Sequence, residues 1–269
     1  MATFRSTSFF ASHPVFTHDE YVVARRARGA GNLRTADSLL ARHAAAGRLL
    51  HVRRGLYAAV PAGAKADAFR VDPFLLSTKL APDATVAYHA ALQFRGKAYS
   101  VWHRLAVLTR SHLRPLSFQG SEFAGVRLPH ALGGLPDMGG GIVTEAHAGG
   151  FVRVTTFERT LVDVLDAPEL GGGWEEVWRS LEMVEYFDLS AVVDQALTRS
   201  ALTVARVGFF LEQHREPLFV EERHLKALRE HTPRQPSYLD RKREAGRLVK
   251  PWNLVVPERV LGRTWSEVA

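Results

Sequence analysis

The N-terminal fold is decided by residues 47–57, which read GRLLHVRRGLY. Residues 49–53 and 56–60 are short runs rich in apolar side chains, and Gly55 lies between them. Such runs on either side of a glycine turn are typical of a β-hairpin. The sequence therefore predicts two antiparallel strands joined by a turn at Gly55.

Three arginines accompany this hairpin. Arg53 and Arg54 lie at its tip, and Arg48 directly precedes its first strand. A hairpin needs no arginine in order to fold, whereas cationic side chains bind DNA phosphates and the narrow minor groove. We therefore expect Arg48, Arg53 and Arg54 to make such contacts.

A first helix is predicted upstream of the hairpin, from residue 18 to about residue 28. Thr17 and Glu20 have the spacing of a capping box, and Phe16 and Tyr21 that of a hydrophobic staple. The glycines of residues 29–32 end this helix, and three cations precede them: Arg25, Arg26 and Arg28. These cations complement the helix dipole or contact phosphate, and the sequence leaves both explanations open.

A second helix is predicted from Thr35, as its N-cap, to Ala46, with Gly47 behind it. Four residues recur at helical spacing and predict the inner face: Ala36, Leu39, Leu40 and His43. A short polar face lies opposite, made of Thr35, Ser38 and Arg42, with Arg34 beside it. These side chains suit base and phosphate contacts in a major groove, although a solvated helix could also carry them.

The order of helix, turn, helix and basic hairpin predicts a winged helix-turn-helix. The expected fold class is α+β, with this DNA-binding domain at residues 1–62. A larger mixed α/β domain follows at residues 68–269, after the loop at residues 61–65, PAGAK. A chain of 269 residues is long enough for two such domains.

Charge is segregated along the chain. Residues 1–62 carry nine arginines and three acids, a net +6, and residues 223–250 also carry a net +6. The intervening residues 63–222 have a net −5. Clustered cations indicate nucleic-acid binding, although a basic stretch can also be a solvated surface.

The sequence leaves open the role of the second basic zone, residues 223–250. It contains four candidate accessory phosphate contacts: Arg241, Lys242, Arg243 and Arg247. They could extend the DNA footprint of a small reading domain, or they could form a solvated helical face.

The larger domain is predicted to mix helices and strands. Residues 72–80 and a segment near His89 and Leu92 look helical, and residues 103–109 and 151–155 look like strands. Thr155 and Glu158 have capping-box spacing, and Arg159 and Asp163 are spaced as an i,i+4 ion pair. Gly208 lies among apolar residues and predicts close helix packing.

Several function classes lack their signatures. The chain has no cysteine, no metal-ligand spacing, no phosphate-binding glycine loop and no nucleophile elbow. It also has no long apolar run and no signal peptide. We expect a cytoplasmic protein without catalysis, metal or cofactor.

Residues 47–57 also resemble the end of the N-terminal domain of AbiEi-family antitoxins. The likeness continues through later blocks in the expected order: Asp72-Pro73, AYHAAL at 87–92, TFERTLVD at 156–163, ARVG at 205–208 and PWNLVVP at 251–257. It implies the antitoxin of a type IV toxin-antitoxin system that represses its own promoter. It also implies a nucleotidyltransferase-like toxin as a partner.

The expected function is therefore sequence-specific repression by binding a double-stranded promoter operator. Two alternatives remain at this point: an interaction protein that sequesters the toxin, and a nuclease-like enzyme. Block 156–163 is explained by the ion pair within one helix, or by a surface that a partner recognises.

Overall fold

The computed structural model describes residues 4–29 and 32–265. The fold is mixed α+β, as predicted. The helices are α1 Ser6–Ser12, α2 His18–Arg26, α3 Leu33–Ala45, α4 Pro73–Ser77, α5 His89–Phe94, α6 Phe157–Asp166, α7 Trp174–Glu182, α8 Leu189–Leu197, α9 Ala201–Gln213, α10 Glu222–Arg229 and α11 Glu258–Leu261. The strands are β1 Val15–Thr17, β2 Leu49–Arg53, β3 Leu56–Ala59, β4 Thr85–Val86, β5 Arg104–Thr109, β6 Leu116–Phe118, β7 Ser121–Arg127, β8 Ile142–His147, β9 Gly150–Thr155, β10 Ser237–Tyr238, β11 Arg247–Val249 and β12 Leu254–Val256.

The N-terminal elements surround a small aromatic core. The hairpin of β2 and β3 forms as predicted, and β1 adds to its β3 edge in an antiparallel register that pairs Val15 with Ala58. The rings of Phe9, Phe16 and Tyr21 pack against one another beneath this sheet. Helix α1 and strand β1 were not predicted from the sequence.

The caps of the first two long helices differ in how well they were predicted. The capping box of Thr17 and Glu20 is confirmed at the start of α2. The N-cap predicted for α3 is wrong: Asn32, not Thr35, caps the helix, because its side-chain oxygen accepts the backbone N–H of Thr35 at 3.4 Å. Of the predicted breaker, Ala30 and Gly31 lie outside the described residues.

A six-stranded sheet organises the larger part of the chain, in the order β6-β7-β5-β4-β9-β8. Pairs β5/β7 and β4/β9 are parallel, and the other neighbours are antiparallel. The predicted strands at 103–109 and 151–155 are confirmed as β5 and β9. The helix predicted at 72–80 is shorter, since α4 ends at Ser77.

Helix α6 carries the predicted ion pair into the core. Arg159 Nε donates to Asp163 Oδ1 at 2.9 Å, and both side chains are almost fully buried. Arg199 also pairs with Asp163. The predicted capping box at Thr155 is wrong by one residue: Thr156 caps the helix, whereas Thr155 ends β9 and bonds the Thr160 hydroxyl.

The C-terminal segment packs on α9. A Cβ added at Gly208 would lie 2.1 Å from the ring of Trp252, the last residue of the 3-10 helix Lys250–Trp252, so the glycine allows this short helix to pack closely on α9. Strands β10, β12 and β11 form a three-stranded sheet around this contact. The helical alternative for the second basic zone is wrong, because residues 240–246 form turns and irregular chain before β11.

The hairpin and the larger part of the chain share one apolar core. Val15, Leu56 and Ala58 belong to the same buried cluster as Leu75 and Val152. Among the described residues, no helix has the length and hydrophobicity that crossing a membrane requires.

Candidate nucleic-acid interface

Helix α3 has the two faces that the periodicity predicted. Its inner residues Ala36, Leu40 and His43 are buried, and Leu39 is half-buried. Four side chains on the opposite side are exposed: Arg34, Thr35, Ser38 and Arg42. The Ser38 hydroxyl donates to the Arg34 carbonyl at 2.9 Å, which leaves its oxygen free to accept a further hydrogen bond.

An acidic residue that the sequence analysis did not single out lies on this helix. Asp37 is exposed and accepts a hydrogen bond from His18 Nε2 at 2.8 Å. The other nitrogen of His18 lies 3.3 Å from Asp19. His18 therefore links the start of α2 to α3.

The two arginines at the hairpin tip have different environments. Arg54 is exposed, as a phosphate contact requires. Arg53 is half-buried and donates from Nη2 to the Leu80 carbonyl at 2.6 Å. The Arg53 side chain therefore ties the hairpin to the larger part of the chain through Nη2, and its assignment to phosphate stays a prediction.

The arginines at the end of α2 also divide into two kinds. Arg26 and Arg28 are exposed, whereas Arg25 is buried, with its guanidinium 5.8 Å from the ring centroids of both Phe4 and Tyr21. The assignment of Arg25 to DNA is corrected, because a cation packed over two rings is not available to phosphate.

A polar crevice of about 890 Å³ separates the hairpin tip from the loop after α4. Lys79 and Glu20 form an ion pair across it. Burial raises the pKa of Glu20, but hydrogen bonds from Lys79 and Thr17 outweigh burial and hold that pKa below its usual value. The Arg53 contact ties the hairpin to Leu80, and the Lys79 ion pair ties α2 to the same loop.

We predict that Arg53→Ala and Arg54→Ala affect stability differently. Loss of the Arg53 hydrogen bond is expected to lower the free energy of unfolding by about 1 kcal/mol, since the donor is charged and half-buried. Arg54→Ala should stay within about 0.5 kcal/mol of the parent, because its side chain is exposed. Urea unfolding followed by tryptophan fluorescence measures both, and equal losses would contradict the tie to Leu80.

The second basic zone lies apart from these elements. Arg241, Lys242 and Arg243 are exposed, and Arg247 pairs with Glu258 at 3.1 Å. No hydrogen bond or ion pair joins residues 240–250 to residues 4–60 in the described part of the chain. Arg241, Lys242 and Arg243 form no ion pair with a carboxylate among the described residues, whereas Arg247 does.

The buried ionisable groups of the larger part have structural partners. His89 Nε2 lies 3.0 Å from Glu176 Oε1, and the other oxygen of Glu176 accepts the Ser100 hydroxyl at 2.8 Å. Burial lowers the pKa of His89, and Glu176 offsets this only in part. His147 pairs with Asp72 at 2.8 Å. Within residues 4–29 and 32–265, no three metal-ligating side chains are grouped as an ion would require.

Comparison with known proteins gives a fold and little more. No protein-family model and no curated protein matches the sequence. Among solved structures, the chain is similar to the RV2827C protein from Mycobacterium tuberculosis, with a TM-score of 0.61 and 19% identity over 96% of this chain and 94% of that chain. At that identity the likeness shows the fold alone.

Proposed function

We propose that this protein is a sequence-specific DNA-binding repressor that acts on its own promoter. In this proposal residues 4–60 are a winged helix-turn-helix, with α3 as the recognition helix and the β2–β3 hairpin as the wing. The observation that carries it is the exposed polar face of α3, flanked by Arg48 and Arg54. These residues come from different elements and are all open to solvent.

The dimensions of α3 suit a major groove. Thirteen residues at about 1.5 Å each give a helix of roughly 20 Å, and a B-DNA major groove about 12 Å wide admits such a helix. Arg42 can donate two hydrogen bonds to a guanine edge, and the hydroxyls of Thr35 and Ser38 can bond several bases. The wing then reaches the adjacent backbone or minor groove through Arg54.

We further propose that this repressor is the antitoxin of a type IV-like toxin-antitoxin pair, without catalysis or cofactor. The support is the ordered succession of sequence blocks that resemble AbiEi-family antitoxins. The most charged of these blocks, residues 156–163, has a structural role, because Arg159 and Asp163 are buried and cannot form a recognition surface. A nucleotidyltransferase-like toxin gene beside this one would support the pairing.

The test of repression is a mobility-shift titration of the purified chain with its own promoter duplex and a scrambled duplex. We expect preferential binding to the promoter. In Ser38→Ala and Arg42→Ala, the free-energy gap between the two duplexes should narrow by about 1–3 kcal/mol for each lost base contact.

Arg215→Ala is the matched control, because Arg215 is an exposed arginine outside both basic zones whose partner is Glu222. It should bind both duplexes as the parent does. Absence of promoter preference in the parent would overturn the proposed function. An unchanged preference in both α3 variants would show that α3 is not the recognition helix.

A further inference from the structure

An apolar cavity of about 710 Å³ lies where the N-terminal elements meet the larger part of the chain. Phe10, Val15 and Ala59 line one side, and Phe69, Val71 and Leu75 line the other. This volume is typical of pockets that enclose a small molecule, and such pockets often form between structural units. No local sequence pattern indicates this cavity, because its walls come from five separate segments of the chain.

The charges at this cavity are unbalanced. Arg48 and Arg70 lie at its rim, and neither guanidinium has a carboxylate partner among the described residues. Arg70 donates only to the Asp67 carbonyl, at 3.3 Å. Asp72 is the one acid in the lining, and both of its oxygens are engaged, with the Leu75 N–H and with His147. The rim therefore presents two cations without a counter-ion above an apolar floor.

We propose that this cavity binds an apolar monocarboxylate, whose chain fills the floor and whose carboxylate pairs with Arg48 and Arg70. Carboxylates are the natural partners of arginine, since two parallel hydrogen bonds match the planar guanidinium. An uncharged molecule of the same shape would leave both arginines without a counter-ion. The anionic head therefore gives the cavity its selectivity.

Arg48 links this cavity to DNA binding. Its backbone is fixed, because its N–H bonds the His43 carbonyl and its carbonyl accepts the Val60 N–H, both at 3.0 Å. Only the side chain can move between the cavity and a phosphate. Bound carboxylate is therefore an inducer that withdraws Arg48 from DNA, and this regulatory part rests on the proposed function.

The ligand site is tested by isothermal titration calorimetry with decanoate, and with 1-decanol as the uncharged match. We expect one saturable decanoate site per chain and much weaker binding of decanol. Arg48→Gln and Arg70→Gln should each weaken decanoate binding about tenfold, as loss of a charge-assisted hydrogen bond implies. Ala62→Trp, at an exposed lining position, should block the site, whereas Arg54→Gln should leave it unchanged.

No saturable binding, or equal binding by the parent and Ala62→Trp, would overturn the site. The inducer role is measured as release of the promoter duplex from the protein when decanoate is added. In Arg70→Gln this release should be lost, while the affinity for the promoter stays that of the parent. Decanoate binding without promoter binding would refute the proposed function and leave the ligand site standing. Promoter binding that decanoate does not weaken would refute the inducer.

Discussion

Asp163→Ala is expected to lower the free energy of unfolding by about 3–5 kcal/mol. Asp163 accepts hydrogen bonds from Arg159 and Arg199, and all three side chains are at most 1% exposed. Removal of the carboxylate leaves two guanidinium groups buried without a counter-ion. For a chain of this size the melting temperature should fall by roughly 10 °C.

A surface pair of the same geometry provides the control. Glu175 and Arg179 also form an i,i+4 pair at 2.9 Å, but their side chains are 41% and 34% exposed. Glu175→Ala should cost at most about 1 kcal/mol, because water solvates the arginine that remains. Thermal and urea unfolding of both variants compare the two losses. Similar losses would mean that water reaches Arg159 and Arg199 once the carboxylate is gone.

The elements that the sequence predicted are those whose signals are local. Helix α2 has a capping box within four residues, and the β2–β3 hairpin has its glycine turn. Strand β1 is only three residues long and exists through its partner β3, about 40 residues further along the chain. Helix α1 begins at Ser6, and its N-cap residue Arg5 makes no side-chain capping bond. Neither element carries a local signal strong enough to predict.

The exposure of the candidate side chains was predicted correctly where helical spacing alone decides it, as on α3. Reduced exposure was not predicted where a residue distant in sequence contacts the arginine side chain. Arg25 is buried by Phe4, and Arg53 is held by the Leu80 carbonyl. Both partners lie more than 20 residues away along the chain, so no spacing rule could indicate them.

Helix caps and buried ion pairs also depend on contacts that the local sequence does not reveal. Asn32 and Thr35 are both good N-cap residues, and so are Thr155 and Thr156. Which of them caps depends on where the preceding chain stops, and tertiary contacts decide that. The Arg159–Asp163 pair was predicted by spacing, but its burial depends on Arg199 from another helix.

We expect operator binding to weaken steeply as the salt concentration rises. The steepness of this dependence measures the number of phosphate contacts. Of the seven exposed arginines in the described part of residues 4–60, six are candidate DNA contacts: Arg26, Arg28, Arg34, Arg42, Arg48 and Arg54. If each neutralises one phosphate, the slope of log K against log salt is about −5 per bound chain, and affinity falls by about three decades between 50 and 200 mM. If the four cations of the second basic zone also bind, the slope is about −9 and the loss about five decades.

The deciding comparison uses a variant with Arg241, Lys242, Arg243 and Arg247 all changed to Gln. If the slope is near −5 in both the parent and the variant, DNA binding is confined to the N-terminal elements. If it is about −9 in the parent and about −5 in the variant, the cations of the second basic zone also bind phosphate. Arg54→Ala should make either slope shallower by about 1, and it should weaken binding to the promoter and scrambled duplexes equally. A slope near zero in the parent would contradict phosphate binding by any of these arginines, since counterion release accompanies every such contact.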